Sequence, residues 1–426
     1  MRPLTDDDLD AFAEISSYAY NFPSADFVTW IRSSNKAGLL GVFTGERLAA
    51  ALADFRFDLW LNGALVKANG IGAVASAPET RRRGLVRTLL ADHLRRLRAE
   101  GVVLSVLYPF KFEFYRRMGW GLAARLAEVE IPPAEFAAYG RPLGRIRRVL
   151  SSEKGEVRPA PGETVESVRA TLERIFNAWA PELNLCCRRG PEEWRVMFEM
   201  RRGRRHIFLW EDDHGDPQGY VALRIAEDQH MTDLRVREMF ALTPDAWRGL
   251  CHFLSTHEAQ NRNIVATLPP DHPLLTVLAN PRLEQVKLVQ APMARVVDVV
   301  GLLSTRGHKD VPAGTCRLKV NDRLAPWNDG VYLVRSNGRG VTVEKVPAGE
   351  AGFAARARAS GPAAGERGPG SVDLEVDVDA LAGLAIGARS VRELLRYGLA
   401  AGRPGPGLEF AADLFPRRRV WHSEFY

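Results

Sequence analysis

The sequence predicts an α+β protein of more than one domain, in which mixed sheets are flanked by helices. Three observations lead to this fold class. The first 140 residues follow the order helix, helix, several strands, helix, strand, helix, strand. A strand followed by a proline, an acidic residue and a helical pattern recurs at residues 239–250. A third group of strands follows residue 301, and 426 residues exceed what a single core usually supports.

The predicted N-terminal elements begin with a helix that Thr5 caps, because three aspartates and apolar residues at helical spacing follow it. A second helix is predicted from Ser24. Asn62-Gly63 is typical of a two-residue hairpin turn. The elements that follow are the strands Gly38–Phe43, Leu48–Leu59 and Ala64–Val74, the helix Leu85–Glu100, the strand Val102–Tyr108, the helix Phe112–Met118 and the strand Leu122–Ile131.

The rest of the chain divides at stretches rich in proline and glycine. Residues 141–145 and 151–162 are predicted to form a polar connection, and residues 347–370 a flexible excursion. The predicted domains are therefore 1–145, 146–300 and 301–426. The elements expected after residue 145 include the strands Arg205–Leu209, Gly219–Ile225, Cys316–Val320, Gly330–Arg335, Gly340–Lys345 and Val372–Val378, and a helix capped by Ser390.

The composition limits which cofactors, partners and cellular locations are expected for this protein. Hydrophobic residues make up 46% and charged residues 26%, and the net charge is +6, which suits an anionic cofactor. Four cysteines without a CxxC pair predict reduced thiols in the cytoplasm. The histidine spacing indicates no metal site. No stretch is apolar enough for a membrane or secretion segment. Arg81–Arg83 and Arg417–Arg419 lack interleaved aromatics, so no nucleic-acid partner is expected.

The most informative motif is the basic turn between the strand ending near Val74 and the helix beginning at Leu85. Amide groups at the start of a helix are unpaired, and the helix dipole adds positive potential there. Gly84 permits close approach of the backbone to a ligand. Arg81, Arg82 and Arg83 can bond to phosphate oxygens. The turn therefore predicts a site for a phosphate-bearing cofactor; the alternative is a solvated basic helix start.

A second motif is Phe114-Tyr115-Arg116-Arg117-Met118-Gly119-Trp120. It follows the basic turn by about 30 residues, with a helix and a strand between. Tyr115 is either a half-buried aromatic of a short helix or a functional phenol.

Together these motifs resemble the pyrophosphate loop and the Phe-Tyr-x-x-x-Gly segment of the GNAT N-acetyltransferases. The GNAT loop has a second small residue after its glycine, and here Val86 or Arg87 takes that place. This departure, together with the sequence Arg-Arg-Arg-Gly-Leu at residues 81–85, is similar to the Eis-like branch. That resemblance implies tandem GNAT folds, the second degenerate, followed by a sterol-carrier-protein-like α/β domain. It leaves open whether that domain binds lipid.

The resemblance also implies site residues and acetyl-coenzyme A as co-substrate. Tyr115 corresponds to the proton donor for the departing thiolate. The main chain near Val74 would polarise the thioester and contact the pantetheine arm, with Phe110 on the opposite wall. The implied cofactor-binding set is Val74, Ala75, Ser76, Arg81, Arg82, Arg83, Gly84, Leu85, Val86, Arg87 and Phe110.

The chain ends in Trp421-His422-Ser423-Glu424-Phe425-Tyr426, and an aromatic end is expected to be packed. In Eis-like enzymes the carboxylate of an aromatic last residue is the general base, which implies this role for the Tyr426 carboxylate. The family ending could instead correspond to Glu424-Phe425. Candidate acceptor-binding residues are Asp26, Phe27, Trp30 and Glu424, because carboxylates and aromatics attract ammonium groups.

The predicted activity is transfer of acetyl from acetyl-coenzyme A to an amine of a polycationic acceptor, such as an aminoglycoside or a lysine side chain, by direct attack. The alternative is a non-catalytic protein that binds coenzyme A or a lipid. A homo-oligomer, by resemblance a hexamer, is expected.

Overall fold

The computed structural model describes residues 1–33, 37–199, 204–225, 233–278, 280, 286–289, 292–347 and 371–422. The chain forms two compact units. Unit 1 comprises Met1–Ala124, Glu182–Cys187 and Ala291–Tyr426, and unit 2 comprises Arg125–Pro181 and Arg188–Gln290. No helix in the described ranges is long and apolar enough to cross a membrane.

Unit 1 contains a mixed seven-stranded sheet in its described residues, ordered β1-β2-β3-β4-β5-β15-β6. Numbered along the whole chain, its strands are β1 (Arg2–Pro3), β2 (Ala37–Thr44), β3 (Arg47–Leu61), β4 (Ala64–Ser76), β5 (Leu104–Leu107), β6 (Gly121–Leu122) and β15 (Met293–Val296). The helices around this sheet are α1 (Leu9–Tyr20), α2 (Ser24–Ser33), α3 (Leu85–Ala99), α4 (Phe112–Arg116) and α9 (Val299–Thr305), with single 3₁₀ turns at Asp6–Asp8 and Pro78–Thr80.

Two local features of this sheet follow directly from the sequence. Asn62 and Gly63 both have positive φ, which is the conformation that a type I′ turn requires between β3 and β4. Helix α3 packs one face into the core through Leu89, Leu90, Leu94 and Leu97, all of them fully buried. The predicted hairpin and helix are thus confirmed, with ends shifted by a residue or two.

The C-terminal part of unit 1 forms a five-stranded sheet in its described residues, ordered β18-β17-β16-β19-β20. Its elements are β16 (Ala313–Asn321), β17 (Gly330–Asn337), β18 (Val341–Lys345), β19 (Leu374–Asp377), α10 (Val378–Ala385), α11 (Val391–Arg396), β20 (Ala400–Gly402) and α12 (Pro406–Leu414). The capping box at Ser390 is present, because its hydroxyl accepts from the amide of Glu393. Residues 348–370 lie outside the described residues, so the predicted excursion cannot be compared there.

Unit 2 is built on an eight-stranded sheet, as far as the described residues define it, ordered β14-β7-β13-β12-β11-β10-β8-β9. Its elements are β7 (Leu126–Ile131), β8 (Arg145–Glu153), β9 (Glu156–Pro159), α5 (Val165–Trp179), α6 (Pro191–Phe198), β10 (Arg204–Glu211), β11 (Pro217–Ile225), β12 (Leu234–Ala241), α7 (Pro244–Ser255), β13 (Ile264–Leu268), α8 (Leu274–Val277) and β14 (Val286–Val289), with a 3₁₀ segment at Pro133–Tyr139. A further 3₁₀ turn, Ala180–Glu182, begins in unit 2 and ends at the first residue of a unit 1 segment.

Two expectations about single elements were wrong. The predicted strand Leu122–Ile131 is two strands, β6 in the sheet of unit 1 and β7 in the sheet of unit 2. The predicted connection at 141–145 and 151–162 contains both ends of β8 and all of β9, which pair as a hairpin. Strand β8 buries Val149, Leu150 and Ser152. The division into three domains at residues 145 and 300 stays a prediction.

Candidate active site

The candidate site begins where β4 and β5 separate. The two strands pair in parallel from Ala68 with Leu104 to Ile71 with Leu107. Beyond that point β4 continues to Ser76, while β5 ends at Leu107. The parallel strands therefore leave a gap next to the last residues of β4.

A bulge shapes the main chain of β4 at this gap. Ala51 pairs with Ala75 and Ala53 with Gly72, so Leu52 alone faces both Ala73 and Val74. Ala73 has a φ of 45°, in the left-handed region that L-residues rarely adopt. Such a bulge bends the strand and takes main-chain groups out of the ladder, and bulges are enriched next to active sites. The buried segment Val74–Ala75 and the half-buried Ser76 line this bend.

The turn after β4 is fixed at its first residues. The Thr80 hydroxyl donates to the carbonyls of Ala49, at 3.0 Å, and Ala77, at 2.9 Å. Arg82 then has a φ of 62° and Gly84 a φ of 77°, so two left-handed residues precede α3. Alternation of this kind points successive amides to one side, which is the geometry of a backbone anion nest.

Six consecutive main-chain amides follow, from Arg82 to Arg87, and we call this segment the amide turn. None of the six donates to an acceptor within the described part of the chain. A Cβ placed on Gly84 would meet nothing within 4 Å, so the space beside it is open. The amide turn therefore offers an open row of donors at the positive end of α3.

Arginine side chains surround the amide turn. Arg81, Arg82, Arg83 and Arg87 are exposed, and none pairs with a carboxylate among the residues that the structure describes. The Arg81 guanidinium lies 5.4 Å from the centroid of the Tyr18 ring. Four cations without a described counter-ion, next to unpaired amides, make the turn strongly electropositive.

Tyr115 is the buried phenol of the site. It sits on α4, and its side chain is 2% exposed. Its ring is 5.1 Å from that of Phe114, 5.4 Å from that of Phe110 and 6.3 Å from that of Trp120. Burial, together with the nearby Tyr20 phenol, raises the pKa of Tyr115 well above its usual range. The phenol is therefore neutral at physiological pH and keeps a proton to donate.

Tyr20, which sequence reasoning missed, bonds to the bend of β4 and lies near enough to Tyr115 to influence its pKa. Its hydroxyl donates to the carbonyl of Val74 at 3.3 Å. Burial of that hydroxyl raises its pKa to about 12. The run Tyr18-Ala19-Tyr20-Asn21-Phe22 indicates only the end of a helix, although three aromatics at one helix end are also typical of a ligand-facing rim.

Phe110 lies just past β5, where it was predicted. Its side chain is 61% exposed even though it contacts Phe114 and Tyr115. A large exposed aromatic beside a buried phenol is available to contact a ligand.

The last described residues pack next to the same strand end. The amide of Trp421 donates to the carbonyl of Asn184 at 2.9 Å, and a ring nitrogen of His422 lies 2.9 Å from the carbonyl of Leu185. The buried His422 ring is 5.9 Å from that of Tyr108, the residue that follows β5. Glu424, Phe425 and Tyr426 lie outside the described residues.

The remaining acceptor candidates lie on α2, between Ser24 and Ser33. The side chains of Asp26, Phe27 and Trp30 are outside what the structure describes, so their assignment stays a prediction.

The matching region of unit 2 lacks a comparable turn. Only two residues separate β12 from α7, and the Thr243 hydroxyl accepts from the amide of Ala246 at 3.1 Å. The Thr243 side chain thus pairs with an amide at the start of α7, whereas the amides at the start of α3 have no described acceptor. Thr243 and its neighbours also have no positive φ, in contrast to Arg82 and Gly84.

Comparison with known proteins identifies the class. Two acetyltransferase (GNAT) domain descriptions match residues 1–123 and 185–296. A sterol carrier protein domain matches residues 299–423. The protein is therefore an acetyltransferase with tandem GNAT folds, which confirms the predicted fold class and enzyme class. GNAT acetyltransferases use acetyl-coenzyme A.

Individual relatives narrow the family. An uncharacterised N-acetyltransferase of Streptomyces avermitilis is 24% identical over 71% of this chain and 73% of its own. The N-acetyltransferase Eis of Mycobacterium tuberculosis is 30% identical over 56% of this chain and 57% of its own. Two GNAT domains followed by a sterol carrier protein domain, together with the similarity to Eis, support the Eis-like GNAT family that the motifs predicted.

Solved structures show the same fold at low sequence identity. A probable N-acyltransferase from Enterococcus faecalis superposes with a TM-score of 0.80 at 21% identity, over 98% of this chain and 96% of that one. Eis1 from Mycobacterium abscessus superposes with a TM-score of 0.74 at 20% identity, over 100% and 99%.

Proposed function

We propose that unit 1 binds the pyrophosphate of acetyl-coenzyme A on the amide turn and acetylates an amine of a polycationic acceptor, such as an aminoglycoside or a lysine side chain. The observation that supports this most directly is the row of six unpaired amides from Arg82 to Arg87 beside an open Gly84. Arg81, Arg82, Arg83 and Arg87 add charge-assisted bonds, while Leu85 and Val86 contribute main-chain donors.

The gap between β4 and β5 suits the arm of the co-substrate. Val74, Ala75 and Ser76 supply a strand edge on one side, and Phe110 supplies an exposed apolar ring on the other. Acetyl-coenzyme A, when bound, would supply an acetyl group as a thioester. The main-chain N–H of Val74 would donate to the thioester carbonyl, and an oxyanion donor of this kind contributes about 3 kcal/mol.

Two groups of this chain take part in proton transfer in the proposed reaction, one as a donor and one as an acceptor. Tyr115 donates a proton to the departing sulfur, and its raised pKa supports a phenol that stays protonated until then. The carboxylate of Tyr426 accepts a proton from the ammonium group of the acceptor, which leaves a neutral amine to attack the thioester carbon. The C–S bond then breaks, and the nitrogen loses its second proton to solvent. The position of His422 against Tyr108 supports this second role, because the described chain end reaches the end of β5 only four residues before the terminus.

The acceptor is a cation in this proposal. Asp26 and Glu424 would attract its ammonium groups, and Phe27 and Trp30 would contact its apolar parts. The protein would act as a homo-oligomer, by family resemblance a hexamer. A cytoplasmic location is supported by four cysteines that include no CxxC pair. Sedimentation velocity of the full chain tests the oligomer.

The experiment follows free thiol while the protein is incubated with acetyl-coenzyme A and a panel of aminoglycosides, lysine peptides and no amine. We expect thiol release that depends on a polycationic amine. Tyr115→Phe should lower kcat by about 10² to 10⁴-fold, the usual contribution of a general acid, with little change in KM for acetyl-coenzyme A. Deletion of residues 425–426 should abolish turnover in a folded protein.

Tyr332→Phe is the matched control, because Tyr332 is 1% exposed and its hydroxyl donates to the carbonyl of Asn328, within the C-terminal part of unit 1. It should turn over normally. Wild-type rates for Tyr115→Phe or for the truncated chain would remove the corresponding group from the mechanism. Absence of thiol release with every polycationic amine would refute the acceptor class.

A further inference from the structure

A buried arginine contacts the turn that follows Tyr115. Arg295 lies on β15 and is fully buried. One terminal nitrogen donates to the carbonyl of Met118 at 2.6 Å, and the other lies 2.7 Å from both carboxylate oxygens of Asp322. Its guanidinium carbon is also 5.3 Å from the centroid of the Trp120 ring.

The residues that Arg295 contacts are bonded in turn to Tyr115. The amides of Met118 and Trp120 both donate to the carbonyl of Tyr115, at 3.0 and 3.1 Å. The Trp120 ring meets the Tyr115 ring edge to face, with centroids 6.3 Å apart. A guanidinium that contacts Met118 and Trp120 therefore constrains both the backbone and the ring of Tyr115.

The contact between Arg295 and Met118 requires that residue 119 has no side chain. Gly119 has a φ of +87°, and a Cβ there would lie 1.6 Å from a terminal nitrogen of Arg295 and 2.7 Å from a side-chain carbon of Val378. Any other residue would displace the guanidinium or the turn. Glycine at this position thus permits the approach of Arg295 to Met118.

Asp322, which follows β16 in the sterol-carrier-like region, is itself held in place. Its carboxylate accepts from the amides of Leu324 and Ala325 and from the side-chain amide of Asn328, at 3.0 to 3.2 Å. A fixed anion therefore orients Arg295. The attraction within such a pair adds little net stability, because desolvation opposes it, so its main effect here is geometric.

We propose that Arg295 is a positioning residue for Tyr115, and that Asp322 in the sterol-carrier-like region holds it in place. The sterol-carrier-like region would then contribute to catalysis through this ion pair. The inference rests on the proposed role of Tyr115 as proton donor. It assigns Arg295 no contact with substrate, so its replacement should alter kcat while leaving the affinity for the co-substrate unchanged.

The test compares Arg295→Lys with Arg306→Lys. Arg306 is a matched control, since it is also buried in unit 1, donates to the carbonyls of Ala385 and Leu414, and lies over the Phe415 ring at 4.8 Å. We expect Arg295→Lys to lower kcat by about ten- to a hundredfold, the effect of a displacement near 1 Å, with KM for acetyl-coenzyme A within twofold. Arg306→Lys should lower the melting temperature to a similar extent and leave kcat unchanged.

A double-mutant cycle with Tyr115→Phe separates positioning from general damage. If Arg295 acts through Tyr115, Arg295→Lys should lower kcat by less than twofold in the Tyr115→Phe background. Wild-type kcat in Arg295→Lys, or an undiminished loss in that background, would overturn the proposal. Should Arg295→Lys fail to fold, the pair Arg295→Met with Asp322→Asn removes both charges and is measured in the same cycle. A wild-type rate for Tyr115→Phe alone would instead refute the proposed proton donor.

Discussion

Replacement of Gly84 by alanine separates ligand binding by the amide turn from its role in folding. Gly84 precedes α3 with a φ of 77°, and a Cβ there would meet nothing within 4 Å. The cost to folding is therefore only the left-handed backbone, about 1–2 kcal/mol for an L-residue. The Cβ would project from the open backbone that the proposal assigns to a pyrophosphate.

Gly101 provides the matched control at the other end of the same helix. Its φ is 74°, and a Cβ there would also meet nothing within 4 Å. Gly101→Ala should therefore cost the same 1–2 kcal/mol of folding free energy. The two variants differ in one respect: only Gly84 belongs to the row of unpaired amides.

The assay is calorimetric titration with coenzyme A, which contains the pyrophosphate and lacks the acetyl group. Gly84→Ala should raise the Kd at least tenfold, equivalent to about 1.4 kcal/mol, whereas Gly101→Ala should bind as the wild type does. Thermal unfolding without ligand should show the same loss for both. A Kd for Gly84→Ala within twofold of wild type would refute the assignment of the pyrophosphate to the amide turn.

Two further predictions concern stability. Burial and the charge of Arg306 lower the pKa of His308 from 6.5 to about 4, so the unfolded chain takes up this proton first and the free energy of unfolding falls as pH falls through that window. At pH 4.5 the loss is about 1–2 kcal/mol, because solvent screens this partly exposed ring; denaturant unfolding of His308→Gln should show a pH dependence smaller by this amount, with the exposed His214→Gln as control, and equal pH dependence would contradict it. Arg306→Met should cost about 3 kcal/mol, because the last carbonyls of α10 and α12 lose a charged donor; the exposed Arg392→Met is the control, and equal melting temperatures would contradict the estimate.

Much of the candidate site can be predicted from short stretches of the sequence. The glycine before α3, the run of arginines and the leucine spacing of the helix act over a few residues, and such short-range preferences determine where a helix begins and which main-chain donors it leaves open. Tyr115 was recognisable for a similar reason, since its distance from the amide turn is one helix and one strand. These features are sufficient to predict the class of enzyme.

Other parts of the site depend on contacts between residues far apart in the chain. The alternation in Leu126–Ile131 indicates a strand but not the sheet that it joins. The bond from Tyr20 to Val74 spans 54 residues, and the bond from Arg295 to Met118 spans 177. The spacing of neighbouring residues in the sequence does not predict contacts between residues so far apart in the chain.

The sequence alone therefore determined the basic turn before α3, the aromatic motif that contains Tyr115 and most of the order of the elements. Tertiary structure decided which strands share a sheet, where β4 bends and which buried groups constrain Tyr115. The physical reason is that turn and helix preferences act within a few residues, whereas strand partners and buried ion pairs are selected by packing of the whole unit.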